Sequence, residues 1–261
     1  MSSQAPATSS DPNQVASIKG ASHADPFGFL GLHDNPAGDG MVLRVFRPDA
    51  LKVFVSSEGA ETEMSKIDNN GFYEVLFPGA TERFDYLLRF QFGEVLSEPV
   101  ADAYSFGPIL GEQDLHFFGE GNHWHLWKCL GAQLCDIDGV TGATFAVWAP
   151  NAHRVSVVGD FNAWDGRTNP MRNRNGVWET FLPGIGTNEH YKFELVGADG
   201  SLITKSDPFA FFSQHDTRTA SITYDLSRYE WNDSEWMEKR AEVDPYHGPM
   251  SVYEVHLGSW K

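Results

Sequence analysis

The sequence predicts an all-β chain of two sandwich modules in tandem, and three observations carry that prediction. The first is an internal repeat. MVLRVFRPDALKVFVSS (41–57) aligns with ATFAVWAPNAHRVSVVG (143–159), setting Arg47-Pro48 on Ala149-Pro150 at an offset of 102. NNGFYEVLFPG then aligns with RNGVWETFLPG at an offset of 105, and Tyr86 falls on Tyr191 and Asp102 on Asp207 at the same 105. One three-residue insertion accounts for the change, and FNAWDGRTNP in the second copy is where it belongs. The second observation is alternation. In YKFEL, Tyr191, Phe193 and Leu195 share one face while Lys192 and Glu194 share the other, the pattern of a strand with one buried and one wet side. HRVSVVGDF repeats it with Val155 and Val157 inward. The third is punctuation: Pro183-Gly184 and Asp199-Gly200 are turn signals between strands. Short strands at this spacing predict immunoglobulin-like β-sandwiches.

In chain order, residues 1–22 read as a disordered tail rich in Ser, Ala, Pro and Gln. Residues 23–122 form the first module and 123–228 the second. A connector joins them, with a short helix expected around Trp124–Leu130. Residues 229–249 read as a linker, and NDSEWMEKRAEV predicts a helix capped by Asn232 with Glu235 closing a capping box. Residues 250–261 end in SVYEVHLGSWK, whose apolar and β-branched run predicts a buried strand.

Composition narrows the function. There are 19 Lys+Arg against 36 Asp+Glu, a formal charge of −17. Nucleic acid and anionic membranes need a basic patch, so neither is an expected partner, whereas a neutral polysaccharide is compatible. No apolar run reaches membrane-spanning length, and the N-terminus lacks a signal-peptide core, so a cytoplasmic location is expected. The two cysteines, Cys129 and Cys135, read as reduced thiols, with a six-residue disulfide loop as the alternative. His123 and His125 in NHWH suggest metal binding, but no third ligand is evident, so neither a metal nor a cofactor is expected.

Several motifs in order give the chain a family likeness. HADPFGFLGLH (23–33), FAVWAPNAHRVSVVGDFNAWDGRTNPM, GVWETFLPG, HYKFELVGADG with KSDPFAFF, and YEVHLGSW (253–260) together resemble the N-terminal part of glycogen (1,4-α-glucan) branching enzymes. The resemblance implies that the second module is a glycogen-binding module of carbohydrate-binding family 48. It also implies that 250–261 is the first strand of a (β/α)8 catalytic barrel otherwise absent from these residues. Branching cuts an α-1,4 bond and transfers the chain to a 6-hydroxyl. That retaining chemistry needs an Asp nucleophile and a Glu acid/base about 5 Å apart, on a barrel of about 250 residues. No counterpart of the family's nucleophile motif is present. No residue is therefore assigned as catalytic, and the chain is expected to be inactive alone.

Glucan binding is the remaining chemistry. Proteins hold sugars by stacking aromatic rings on their C–H faces and hydrogen-bonding the hydroxyl rim. Trp164 in FNAWDG is the expected platform, with Asn162 and Asp165 as flanking rim-bonding groups. The resemblance adds Lys192 as a hydroxyl donor and marks Leu202 as the position where stronger binders carry a second stacking Trp. It also exposes a departure: Asp216-Thr217-Arg218 stands before Thr219-Ala220-Ser221 where the family has Arg-Pro. Affinity is expected to be weak, about millimolar to tens of micromolar. Alternatives stay open: Trp164 as a loop anchor, Lys192 as a solvated strand residue, and Trp148 and Trp178 as packing residues. SSEGAETEM (56–64) in the first module lacks the aromatic altogether. As a whole the chain reads as the N-terminal portion of a branching enzyme. The competing readings are a self-standing glucan-binding protein and an interaction module without sugar affinity. An exposed final strand would favour association.

Overall fold

The structure, a computed structural model, describes residues 8–215, 217–244 and 246–259. The chain divides into two compact units after Tyr224.

The first unit holds both sandwiches. Helix α1 (Pro12–Lys19) leads into β1 (Gly31–Asp34), β2 (Met41–Phe46), β3 (Lys52–Ser57), β4 (Ala60–Glu63), β5 (Ser65–Lys66), β6 (Phe72–Phe77), β7 (Leu87–Phe92) and β8 (Val95–Leu96). Helix α2 (Glu112–Gly119) leads into β9 (Gly131–Ile137), β10 (Val140–Trp148), β11 (Ala152–Gly159), β12 (Arg172–Arg174), β13 (Val177–Pro183), β14 (His190–Gly197), β15 (Leu202–Lys205), β16 (Phe212–Ser213) and β17 (Ser221–Ile222). Sheet β1-β2-β6-β5 faces β4-β3-β7-β8 across a core that includes Leu43, Val53, Tyr73 and Leu88. Sheet β12-β13-β10-β9 faces β11-β14-β17-β16, with β15 also on β14, across Phe145, Val157, Tyr191 and Phe193. The predicted fold class holds, and the alternation in YKFEL places Tyr191 and Phe193 in that core as expected. Trp178 is buried, whereas Trp148 is exposed on the sheet face with its ring edge-on to Phe118 at 5.8 Å.

The repeat begins earlier than the sequence reading has it. Residues 8–22 were expected to be disordered but contain α1, which the Asp11 carboxylate caps at the Asn13 amide (2.9 Å) and Pro12 opens at the first position. Helix α2, the 3-10 turns Pro26–Gly28 and Leu126–Lys128, and the starts of β1 and β9 all match at an offset of 100. The connector helix expected at Trp124–Leu130 is thus only the 3-10 turn, and the true helix lies upstream. Val15 and Ile18 of α1 pack with Leu30 and Phe72, while Leu115 and Phe118 of α2 pack with Leu130 and Val177. Each helix therefore lids its own sandwich, and α2 belongs structurally with the second module although it precedes residue 123.

Polar groups bind each copy together in the same way. Glu74 accepts from the Ser9 amide (2.7 Å), and Glu179 accepts from the Ile109 and Leu110 amides (3.0 and 2.9 Å). The Tyr86 hydroxyl donates to Asp102 (2.6 Å) and that of Tyr191 to Asp207 (2.5 Å); the Tyr104 and Phe209 amides donate to the same carboxylates. These are the Tyr and Asp positions that align in the repeat. Gly71 shows why the NNG turn needs glycine: its φ is +90°, and a Cβ there would lie 2.3 Å from Pro48 Cα.

Burial raises the pKa of both Asp102 and Asp207, partly offset by the tyrosine and amide donors. The folded state then binds these protons more tightly than the unfolded chain. The resulting stabilisation is complete below the unfolded value of about 3.9 and is lost as pH rises through the raised folded value. Urea unfolding of the parent and Asp207→Asn between about pH 4 and 7 checks this. The parent's stability relative to the variant is expected to fall with rising pH; a pH-independent difference contradicts it.

The second unit contains a 3-10 turn at Leu226–Arg228, helix α3 (Ser234–Glu242) and a 3-10 turn at Leu257–Ser259. The predicted helix is present, but its cap differs. Asp233 precedes it at φ −103°, ψ 14°, not the extended geometry a cap requires, and makes no capping bond. Glu235 instead pairs with Lys239 (2.6 Å). The predicted final strand is not formed: residues 251–256 are irregular. An isolated strand leaves its backbone groups unsatisfied, and no partner strand pairs with it among the described residues. Trp260 and Lys261 lie outside the described residues. Cys129 and Cys135 are both free thiols, as read. Among the described residues no helix is long and apolar enough to cross a membrane.

Candidate functional site

The insertion that distinguishes the second copy is a loop after β11. The chain leaves Gly159 in a 3-10 turn, Asp160–Asn162, and then places Ala163 (φ 52°) and Trp164 (φ 61°) in succession in the left-handed region. Two consecutive non-glycine residues there are costly, so the loop must be held from within. Asn162 holds it. Its Oδ1 accepts from the Gly159 amide (2.9 Å), and its Nδ2 donates to the Val157 carbonyl (2.9 Å) and Asn169 Oδ1 (2.7 Å). Buried and fully bonded, Asn162 is an internal brace. That corrects the expectation that it faces a sugar rim.

The brace presents Trp164 at the surface. The residue is 39% exposed, its amide donates to the Gly159 carbonyl (3.0 Å), and its indole Nε1 donates to Asp160 Oδ1 (2.9 Å). Asp160 in turn meets His190 Nδ1 at 2.9 Å. Asp165 is gripped by the Arg167 guanidinium (2.6–3.1 Å), and that pairing lowers its pKa. Gly166 passes so close to Glu194 that a Cβ would lie 1.8 Å from the carboxylate. Arg154 donates to the Gly166 carbonyl (2.7 Å) and to Glu194 (2.5 Å), while its Nε is buried without a hydrogen-bond partner among the described residues.

These groups border a shallow depression of about 370 Å³ with Trp164, Asp165, Arg154, Glu194, Val196 and Leu202 on its walls. Trp164, Asp165 and Leu202 are thus brought together, and Leu202 is exposed. Lys192 lies on the outer face of β14 with Glu194, two residues away. Its ammonium donates to Thr219 Oγ1 (2.8 Å) and does not line the depression. Arg154, Arg167 and Glu194 were not singled out from sequence. They read there as ordinary charged surface, and only the closeness of Gly166 to β14 reveals them. Asp216, at the departure from the family pattern, lies outside the described residues. In the first module the corresponding chain is a tight hairpin through Glu58 (φ 50°) and Gly59 (φ 81°) between β3 and β4, with no room for a platform.

A second cluster lies against the core under α2. Asp114 Oδ1 is 2.9 Å from His123 Nε2 and 3.6 Å from Cys129 Sγ, and that Sγ is 3.7 Å from Nε2. His123 Nδ1 accepts from the His125 amide (3.2 Å), so His125 directs the ring and does not join the cluster. Burial and the Asp114 charge push the Cys129 thiol up to about 11, which makes it a poor nucleophile at neutral pH.

Comparison with known proteins follows the two modules. Residues 11–104 match the family described as alpha-1,4-glucan branching enzyme GlgB, N-terminal domain. Residues 129–210 match carbohydrate-binding module 48, the isoamylase N-terminal domain. Among curated relatives, the 1,4-alpha-glucan branching enzyme GlgB of Rubrobacter xylanophilus is 47% identical over 95% of this chain and 34% of its own length. Those of Myxococcus xanthus and Pseudomonas aeruginosa are 46% and 48% identical, over 92% and 91% of this chain and 33% of each relative. The chain therefore spans about a third of the length of the curated relatives it matches. It corresponds to the N-terminal part of the 1,4-alpha-glucan branching enzymes, a GlgB-type N-terminal domain followed by a family-48 carbohydrate-binding module.

Proposed function

We propose that the chain supplies the glucan-holding part of a branching enzyme in glycogen biosynthesis, the whole protein transferring an α-1,4-glucan chain to a 6-hydroxyl in the cytoplasm. In this reading the second module binds α-glucan over Trp164, with Leu202 extending the apolar surface and Asp165 offering hydrogen bonds to hydroxyls; Lys192, outside the depression, reaches only a chain that runs past it toward Thr219. The observation that carries the reading is the braced loop. A strained turn is held by a buried Asn162 so that one indole stands half-exposed beside a depression with apolar and polar walls. The family-48 match over 129–210 supports it independently. Neither family match includes a catalytic region, so branching by these 261 residues alone is not expected.

A second reading, Trp164 as a structural anchor, draws on the bond from its Nε1 to Asp160, which satisfies the indole internally. Native electrophoresis through gels with and without glycogen separates the two. Retardation by glycogen is expected, with no fall in iodine staining when the chain is incubated with amylose. Unretarded migration contradicts glucan binding, and a loss of stain contradicts catalytic inactivity.

A further inference from the structure

We infer that Asp114, His123 and Cys129 form a zinc site that staples α2 to the turn leading into β9. The three donor atoms lie within 4.8 Å of one another. Zinc takes nitrogen and oxygen at about 2.0–2.2 Å and thiolate sulfur at about 2.3 Å in tetrahedral geometry, which sets ligand-to-ligand distances of about 3.3–3.6 Å. The observed separations of 2.9, 3.6 and 3.7 Å bracket that range, so small side-chain shifts complete the triangle. One thiolate, one imidazole and one carboxylate suit zinc, and not magnesium or calcium, which take oxygen ligands. A water completes the fourth position.

The arrangement does not fit a nucleophile relay. A relay needs the carboxylate on one imidazole nitrogen and the nucleophile on the other. Here Asp114 and Cys129 both converge on Nε2, while Nδ1 meets the His125 amide. The first module supplies an internal control. At the offset of 100 its residues are Gln14, His23 and Phe29, and there the His23 ring stacks on Phe29 at 5.4 Å. The same helix-and-turn closes on its sandwich without a carboxylate or thiol, so the fold does not demand the cluster. His123 alone among the histidines of NHWH takes part, and its partners lie 9 and 6 residues away. That spacing hid them from the sequence.

Loading proceeds with a simple balance. The Cys129 thiol loses its proton to solvent and the thiolate binds the cation. The imidazole binds through Nε2 as the proton there moves to Nδ1, and the His125 amide turns from Nδ1 to water. Asp114 binds as the carboxylate.

The test uses the full chain, reduced and stripped with a chelator, then titrated with cobalt(II) and zinc(II). One equivalent of cobalt is expected to give a thiolate-to-metal charge-transfer band that zinc abolishes, with binding tighter than about 10 µM. Cys129→Ser is expected to remove the band and His123→Gln to weaken binding by more than about 10-fold, while Cys135→Ser keeps both. Nitrogen-15 spectra of the parent should show the His123 proton moving from Nε2 to Nδ1 on zinc addition, a readout that needs no variant. A folded parent that takes up no metal, a band lost in Cys135→Ser and retained in Cys129→Ser, or an unmoved His123 proton would overturn the assignment.

Discussion

Replacing Glu179 with alanine is expected to destabilise the chain by about 3–5 kcal/mol, the cost of taking a charged acceptor away from two backbone amides. Glu179 is fully buried on β13. Its two carboxylate oxygens each accept one backbone amide, from Ile109 and Leu110, in the irregular segment before α2. Bonds of this charge-assisted kind are about twice as strong as neutral ones, and alanine would leave the buried Leu110 amide without its acceptor. Arg174, 3.8 Å away, keeps the Leu110 carbonyl and Glu112 as partners, so the amides bear most of the loss. Glu179→Gln retains one acceptor and should lose about 1–2 kcal/mol. Urea unfolding gives both values, and hydrogen exchange should show residues 109–119 opening first. A loss in the alanine variant below about 1 kcal/mol would mean that the segment is held by other contacts.

Trp164→Ala is expected to weaken glucan binding at least tenfold, about 1.4 kcal/mol or more, because the proposed site offers one aromatic platform. Trp164→Phe keeps a ring but loses the bond to Asp160, so it should fall between parent and alanine. Electrophoretic retardation across a glycogen series measures all three. An alanine variant with unchanged circular dichroism and unchanged retardation would place the sugar elsewhere. Leu202→Trp should strengthen binding by supplying a second stacking surface at an exposed position on the same depression.

Both sandwiches are legible in the sequence because period-2 burial imposes alternation that composition cannot hide, as in Tyr191, Phe193 and Leu195. The Tyr–Asp pairs are legible as aligned letters but not as bonds; only the fold brings Tyr86 to Asp102 and Tyr191 to Asp207. Helix α1 was obscured by its surroundings. Asp11-Pro12 is a sound start signal, yet with only Val15 and Ile18 buried the segment has almost no apolar face to advertise it. Its counterpart α2 shares almost no residues with it, so the 100-residue offset emerges only when backbone and packing are compared. The strand read in SVYEVHLGSWK shows the converse limit, since β propensity supplies no partner for a ladder. At the candidate site, Trp164 stands out because a polar turn explains it poorly. Asn162 looks equally polar and sugar-facing in sequence, and its role as a brace depends on acceptors and donors contributed by Val157, Gly159 and Asn169.

The most direct test is amide and indole chemical-shift mapping of the chain during titration with maltoheptaose. Saturable shifts are expected at the Trp164 indole, Gly166 and Leu202, with a dissociation constant of about millimolar to tens of micromolar and none at the Glu58-Gly59 hairpin. Absence of saturable shifts, or shifts confined to residues away from the Trp164 loop, would contradict glucan binding at this site.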